Sequence, residues 1–118
     1  MTEALGAANL DDASDIRVFE LGSMRVVAVG DHVVGKAVFE PGWRWSDHVR
    51  PVVGTDTCEQ LHVGCILSGQ LAIRMVDGTE AVAGPGDVFV VPPGHDGWVV
   101  GNQACVMLDW AGSANYAR

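Results

Sequence analysis

Apolar positions along this chain fall in short runs and lack the three-and-four spacing of an amphipathic helix. IRVFE, MRVVAV, HVVGKAVF, WRWSDHVR, LHVGCIL, QLAIRMV, DVFVVP, GWVVG and ACVMLDW follow one another, separated by Gly, Pro and Asp. β-Branched and aromatic residues suit pleated strands and the separators suit turns, so the pattern predicts an all-β sandwich or barrel. The clearest turns are GDH, Gly30 to His32, and DGTE, Asp77 to Glu80, where Asp-Gly favours a tight hairpin. QLAIRMV and EAVA are therefore expected to pair antiparallel. PVVGTDTC, from Pro51 to Cys58, reads as a loop between strands, and residues 1–14, small, polar and acidic, read as a loose N-terminal arm before a single domain over 15–118.

Composition narrows the partners. With 118 residues the chain supports one hydrophobic core, and 48% apolar residues place it with compact proteins. A net charge of −8 opposes approach to phosphate backbones and anionic lipid, so neither nucleic acid nor a membrane is expected. The N-terminal stretch MTEALGAANLDDASDIR lacks the basic start and apolar run of a secretory signal, which predicts a cytoplasmic protein. Cys58, Cys65 and Cys105 contain no CxxC pair, so no thiolate knuckle is indicated. Cys65 and Cys105 sit in apolar runs and read as core. Cys58 is a candidate soft ligand or nucleophile, but Asp56 and Glu59 beside it are expected to raise its pKa and blunt it.

One stretch carries candidate chemistry. PPGHDGWVVGN, residues 92–102, sets His95 between a rigid turn and a strand. GPGDVFVVPPG, Gly84 to Gly94, resembles the second motif of cupins, G-x5-P-x-G-x2-H-x3-N, with Gly86, Pro92 and Gly94 on its glycine, proline and glycine. The first cupin motif, G-x5-H-x-H-x3-4-E-x6-G, can be laid on Gly42, His48 and Gly69. The second histidine of that motif then falls on Arg50 and the glutamate on His62. In the second motif the histidine falls on Gly97 and the asparagine on Gly101. The resemblance implies a cupin-type jelly-roll β-barrel of two antiparallel sheets around a central pocket.

The standard ligand set is thus replaced, and a different one is available. His95 stands two residues before the expected histidine, and residues two apart on a strand share a face. The resemblance then implies His48, His62 and His95 as ligands of a divalent metal: Zn, Fe, Ni, Mn or Cu. Arg50 is the candidate to orient a substrate carboxylate or enolate, and Glu59, three residues before His62, to move a proton; each is otherwise a surface charge. Trp45, Trp98 and Met75 are candidate walls of the substrate pocket, although strict alternation from His95 turns Trp98 the other way. Arg44 and His32 read as surface residues.

Two functions stay open. In one, a histidine-bound metal acts as Lewis acid and template for a small organic substrate. In the other, a metal-free pocket binds or senses a small molecule without turnover. Fold alone does not choose between them. Sheet edges and apolar strands predict a homodimer.

Overall fold

The computed structural model describes residues 4–112. After a 3-10 turn (Leu10–Asp12) come β1 (Asp15–Phe19), β2 (Gly22–Val29), β3 (His32–Phe39), α1 (Trp45–His48), α2 (Arg50–Val53), β4 (His62–Ser68), β5 (Leu71–Met75), β6 (Glu80–Ala83), β7 (Val88–Val91), β8 (His95–Val99) and β9 (Cys105–Asp109). The strands form a large sheet, β1-β2-β3-β9-β4-β7, and a small one, β6-β5-β8, with antiparallel pairing throughout. Core side chains come from the inner faces of both: Met24, Phe39, Ile66 and Met107 from the large sheet, Leu71 and Val99 from the small one. Among the described residues no ladder joins β6 to β7, which leaves a seam between the sheets on that side.

Local chemistry explains most of these elements. β2 and β3 pair from Val29 and His32 across the Gly30-Asp31 turn, and β5 pairs with β6 from Arg74 and Glu80 across the Asp-Gly turn. There Gly78 takes φ +92°, a conformation that favours glycine, and Asp77 Oδ1 accepts from Thr79 N–H at 2.9 Å. β4 and β9 approach so closely that a Cβ on Gly64 would lie 1.8 Å from the Leu108 carbonyl oxygen. The expected arm carries some order: Asn9 caps the 3-10 turn, and Arg25 donates to the Asp11 carbonyl at 3.2 Å. Its first three residues lie outside the described ones. Among the described residues no helix is long and apolar enough to cross a membrane.

One run departs from expectation. WRWSDHVR forms helical turns instead of a strand, and α2 occupies the first part of the expected Pro51–Cys58 loop. Ser46, Asp47 and His48 have little preference for pleated structure. A helical turn places Trp45 and Val49, four residues apart, on one buried face. The free N–H of Ser46 finds the Asp96 carboxylate at 3.1 Å, so β8 caps the turn.

Candidate metal centre

β8 alternates strictly, with His95, Gly97 and Val99 buried and Asp96 and Trp98 half-buried on the other face. Gly97, where the cupin motif has histidine, therefore looks inward without a side chain, and His95 looks inward beside it. The turn before it has a clear purpose: Gly94 at φ +92° reverses the chain, and His95 Nδ1–H reaches back to the Pro92 carbonyl at 2.6 Å. A carbonyl can only accept, so Nδ1 carries the proton and Nε2 keeps its lone pair in the neutral ring. Cys58 is bridged to the same place by its backbone. Its N–H donates to His95 O at 2.8 Å, and its carbonyl accepts from Gly94 N–H at 2.8 Å.

The third member opens β4. His62 and His95 meet edge to face, with ring centroids 5.3 Å apart, and Cys58 Sγ lies 3.5 Å from His62 Nε2. One donor atom from each of Cys58, His62 and His95 falls within 4.8 Å of the others. Behind them, His62 Nδ1–H donates to Asp109 Oδ2 at 2.5 Å, while Asp109 Oδ1 accepts from the N–H groups of Ala111 and Gly112 at 2.9 and 3.0 Å. Gly112 backs this arrangement closely: a Cβ there would lie 2.7 Å from His62 Nδ1. Exposure is 3% for Cys58, 6% for His62, 5% for His95 and 0% for Asp109.

Burial makes these charges interact strongly. Burial pushes the His62 imidazole down, but hydrogen bonds to Asp109 and Cys58 and their charges outweigh it and raise the pKa to about 9. Burial pushes the Cys58 thiol up, and hydrogen bonds and charge from His62 and His95 bring it down to about 6. Asp109 is likewise raised by burial and more strongly lowered by His62 and the two backbone N–H groups. The expectation that Asp56 and Glu59 blunt Cys58 is thus reversed. Both carboxylates are exposed, and the groups that face the sulfur are imidazoles.

The donor set fits a transition metal. Both rings have Nδ1 occupied by an acceptor, which leaves Nε2 for a metal, and Asp109 behind His62 completes the carboxylate–histidine pairing common at zinc sites. Tetrahedral bonds of about 2.3 Å to sulfur and 2.0 Å to nitrogen would set neighbouring ligands about 3.5 Å apart, the separation found between Cys58 Sγ and His62 Nε2. The cavity beside the cluster, walled by His62, His95 and Asp109 with Trp43, Trp45 and Phe89 among others, has about 30 Å³, room for an ion and a water.

Of the residues expected from sequence, His62, His95 and Trp45 meet at this cavity. His48 does not join them. It ends α1, where its Nδ1 accepts from the Arg44 N–H at 3.0 Å and its Nε2 lies 4.0 Å from Glu20 Oε1. Helical instead of extended backbone at residues 45–48 sends it there. Arg50 is exposed and paired with Asp56 at 3.3 Å, and Glu59 is exposed and accepts from Thr57 Oγ1–H at 2.7 Å. Trp98 faces outward under the Arg44 guanidinium, 4.4 Å from its ring centroid, and Met75 lines a second groove described below. Sequence reasoning missed Asp109 and undervalued Cys58. Asp109 had a legible signal: in CVMLD it shares the inward face of Cys105 and Met107, where a carboxylate demands a partner.

Two facing antiparallel sheets with a histidine cluster between them define a small protein of the cupin-type fold. Comparison with solved structures agrees. The chain is similar to the polyketide cyclase RemF from Streptomyces resistomycificus (19% identity, TM-score 0.64, 93% of this chain and 80% of that one). It is also similar to KdgF from Halomonas sp. (20% identity, TM-score 0.63, 92% and 94%) and to a cupin-like protein from Thermotoga maritima (17% identity, TM-score 0.56, 86% and 74%). At such identities the likeness establishes the fold. No protein-family model matches the sequence, and no curated protein matches it significantly.

Proposed function

We propose that this protein holds one divalent transition metal through Cys58, His62 and His95, and binds or acts on a small organic molecule beside it. The observation that carries the reading is the buried convergence of three donor atoms within 4.8 Å, each imidazole turned by an acceptor on its far nitrogen. A thiolate with two imidazoles favours zinc or another soft to borderline metal over magnesium or calcium. Such a metal supplies Lewis acidity to a substrate oxygen. The chain's own contribution is to fix the two rings through Asp109 and Pro92, to keep water out with Trp43, Trp45 and Phe89, and to release the His62 proton as a metal binds. Among the similar structures RemF is a polyketide cyclase, which supports chemistry on an organic molecule in this architecture.

The test is metal analysis of protein purified without added metal. About one equivalent per chain is expected, lost in Cys58→Ser and in a His62→Ala, His95→Ala double variant and kept in His48→Ala. Loss of metal in His48→Ala with retention in Cys58→Ser would reject this donor set.

A second reading, a metal-free container, is supported by the way the donors satisfy one another: Cys58 with His62, His62 with Asp109, His95 with Pro92. Metal-free protein that still binds an organic ligand would select it. Homodimer formation belongs to the same proposal, supported by the exposed Leu67, Val88 and Val90 at the β4–β7 end of the large sheet, and is checked by light scattering in solution.

A further inference from the structure

The 30 Å³ donor cavity is too small for an organic molecule, but it shares a wall with a larger space. At the seam between the sheets, β5 and β6 face β7 across a groove of about 420 Å³. That volume lies within the range of small-molecule sites, roughly 300–1,000 Å³. Leu71, Ile73, Phe89 and Val91 line both spaces, so the groove and the donor cavity adjoin at these side chains. The groove exists because the β6 side chains within it are the small Ala81 and Ala83, opposite Ile73 and Leu71 in the ladder, with Glu80 at its edge.

Charge and hydrogen bonding specify the occupant. The groove is lined by neither Lys nor Arg, and its rim carries Asp77 and Glu80, so in metal-free protein an anion meets carboxylates on approach, while the charge of His62 in the inner cavity is already paired with Asp109. On the inner side, the buried Trp43 Nε1–H has no acceptor among the described residues, although Trp43 itself stacks on Phe39 with centroids 4.0 Å apart. A buried donor without an acceptor is costly, and Trp43 lines the donor cavity.

We propose that the groove binds the apolar body of an uncharged carbonyl compound, whose oxygen passes Ile73 and Phe89 and accepts a hydrogen bond from Trp43 Nε1. This rests on the proposed function only in setting that oxygen beside the metal donors; the groove itself does not require a metal.

The experiment titrates a 2-alkanone series from 2-butanone to 2-nonanone, with nonanoate as the anionic control, into full-length zinc-loaded and chelator-treated protein. Calorimetry and the Trp43 indole N–H resonance, assigned by its loss in Trp43→Phe, are the readouts. Each added methylene should tighten binding about fourfold until the groove is filled. In chelator-treated protein nonanoate should bind at least about tenfold more weakly than 2-nonanone, and the Trp43 indole resonance should shift with the ketone. Ala81→Phe, which fills the groove from an exposed strand, should weaken 2-nonanone by about tenfold or more with metal content unchanged, and Ala83→Leu provides an independent fill of the same wall. Ketone binding to chelated protein keeps this proposal even if no metal is ever found. Absence of ketone binding or unchanged affinity in a folded groove-filling variant overturns it whether or not zinc is bound, and so does nonanoate binding to chelator-treated protein as tightly as 2-nonanone.

Discussion

β8 separates two polar clusters, each with one aspartate and with different consequence. On its inner side His95 joins Cys58, His62 and Asp109, all almost wholly buried. On its outer side Asp96 joins Arg44, Ser46 and Trp98, half in water. The outer cluster contains a full ion pair, Arg44 to Asp96 at 3.3 Å, yet water screens it and its work is to hold α1 against the strand. Inside, a carboxylate, a thiol and an imidazole shift one another's pKa values strongly, since little water reaches them. Burial, together with the Cys and His donors that only the inner cluster holds, separates a chemical site from a structural latch.

Substitutions in the two clusters should therefore differ most in cost. Asp109→Ala leaves a buried imidazolium without its carboxylate and should cost about 3–5 kcal/mol in metal-free protein, read from urea unfolding. A cost below about 1 kcal/mol would mean that water reaches the inner cluster. Asp96→Ala, removing the Ser46 cap and the Arg44 pair, should cost about 1 kcal/mol.

The pH dependence sharpens the contrast. His62, held up at about 9, contributes stability that is complete below its ordinary value of 6.5 and is lost as pH rises through 9. Cys58, held down at about 6, contributes stability that is complete above its ordinary value of 9 and is lost as pH falls through 6. Between about 6.5 and 9 the two slopes offset, so the urea midpoint of the metal-free protein should be flat. Cys58→Ala leaves the His62 slope uncovered, and stability should then fall by up to about 1.4 kcal/mol per pH unit above 6.5. A flat profile in that variant would show that Asp109 alone does not hold His62 charged. Arg44→Gln is expected to have the smallest effect, about 0.5 kcal/mol and diminished further by salt, because the guanidinium is about two-fifths exposed and its pair with Asp96 is screened by water.

Much of this architecture was legible from one-dimensional pattern. Eight of the nine apolar runs became strands, the Asp-Gly turn joined β5 to β6 as expected, and the two-residue offset of His95 from the cupin position kept it on the inward face. WRWSDHVR misled because its Trp and Val content matches a strand, whereas its helical turn depends on Asp96, fifty residues away. His48 left the expected cluster for that same reason. Cys58 was misjudged from Asp56 and Glu59, its neighbours in sequence, when its neighbours in space are His62 and His95. Long-range register supplied what local spacing lacked.

The paired main-chain bonds that join Cys58 to the Gly94 N–H and the His95 carbonyl make the sulfur and one imidazole parts of a single small clasp. Whatever settles between those side chains is consequently felt by two amides that belong to different segments of chain. Slowed deuterium uptake at Cys58 and Gly94 together would register an occupant of any chemistry, before its identity is known.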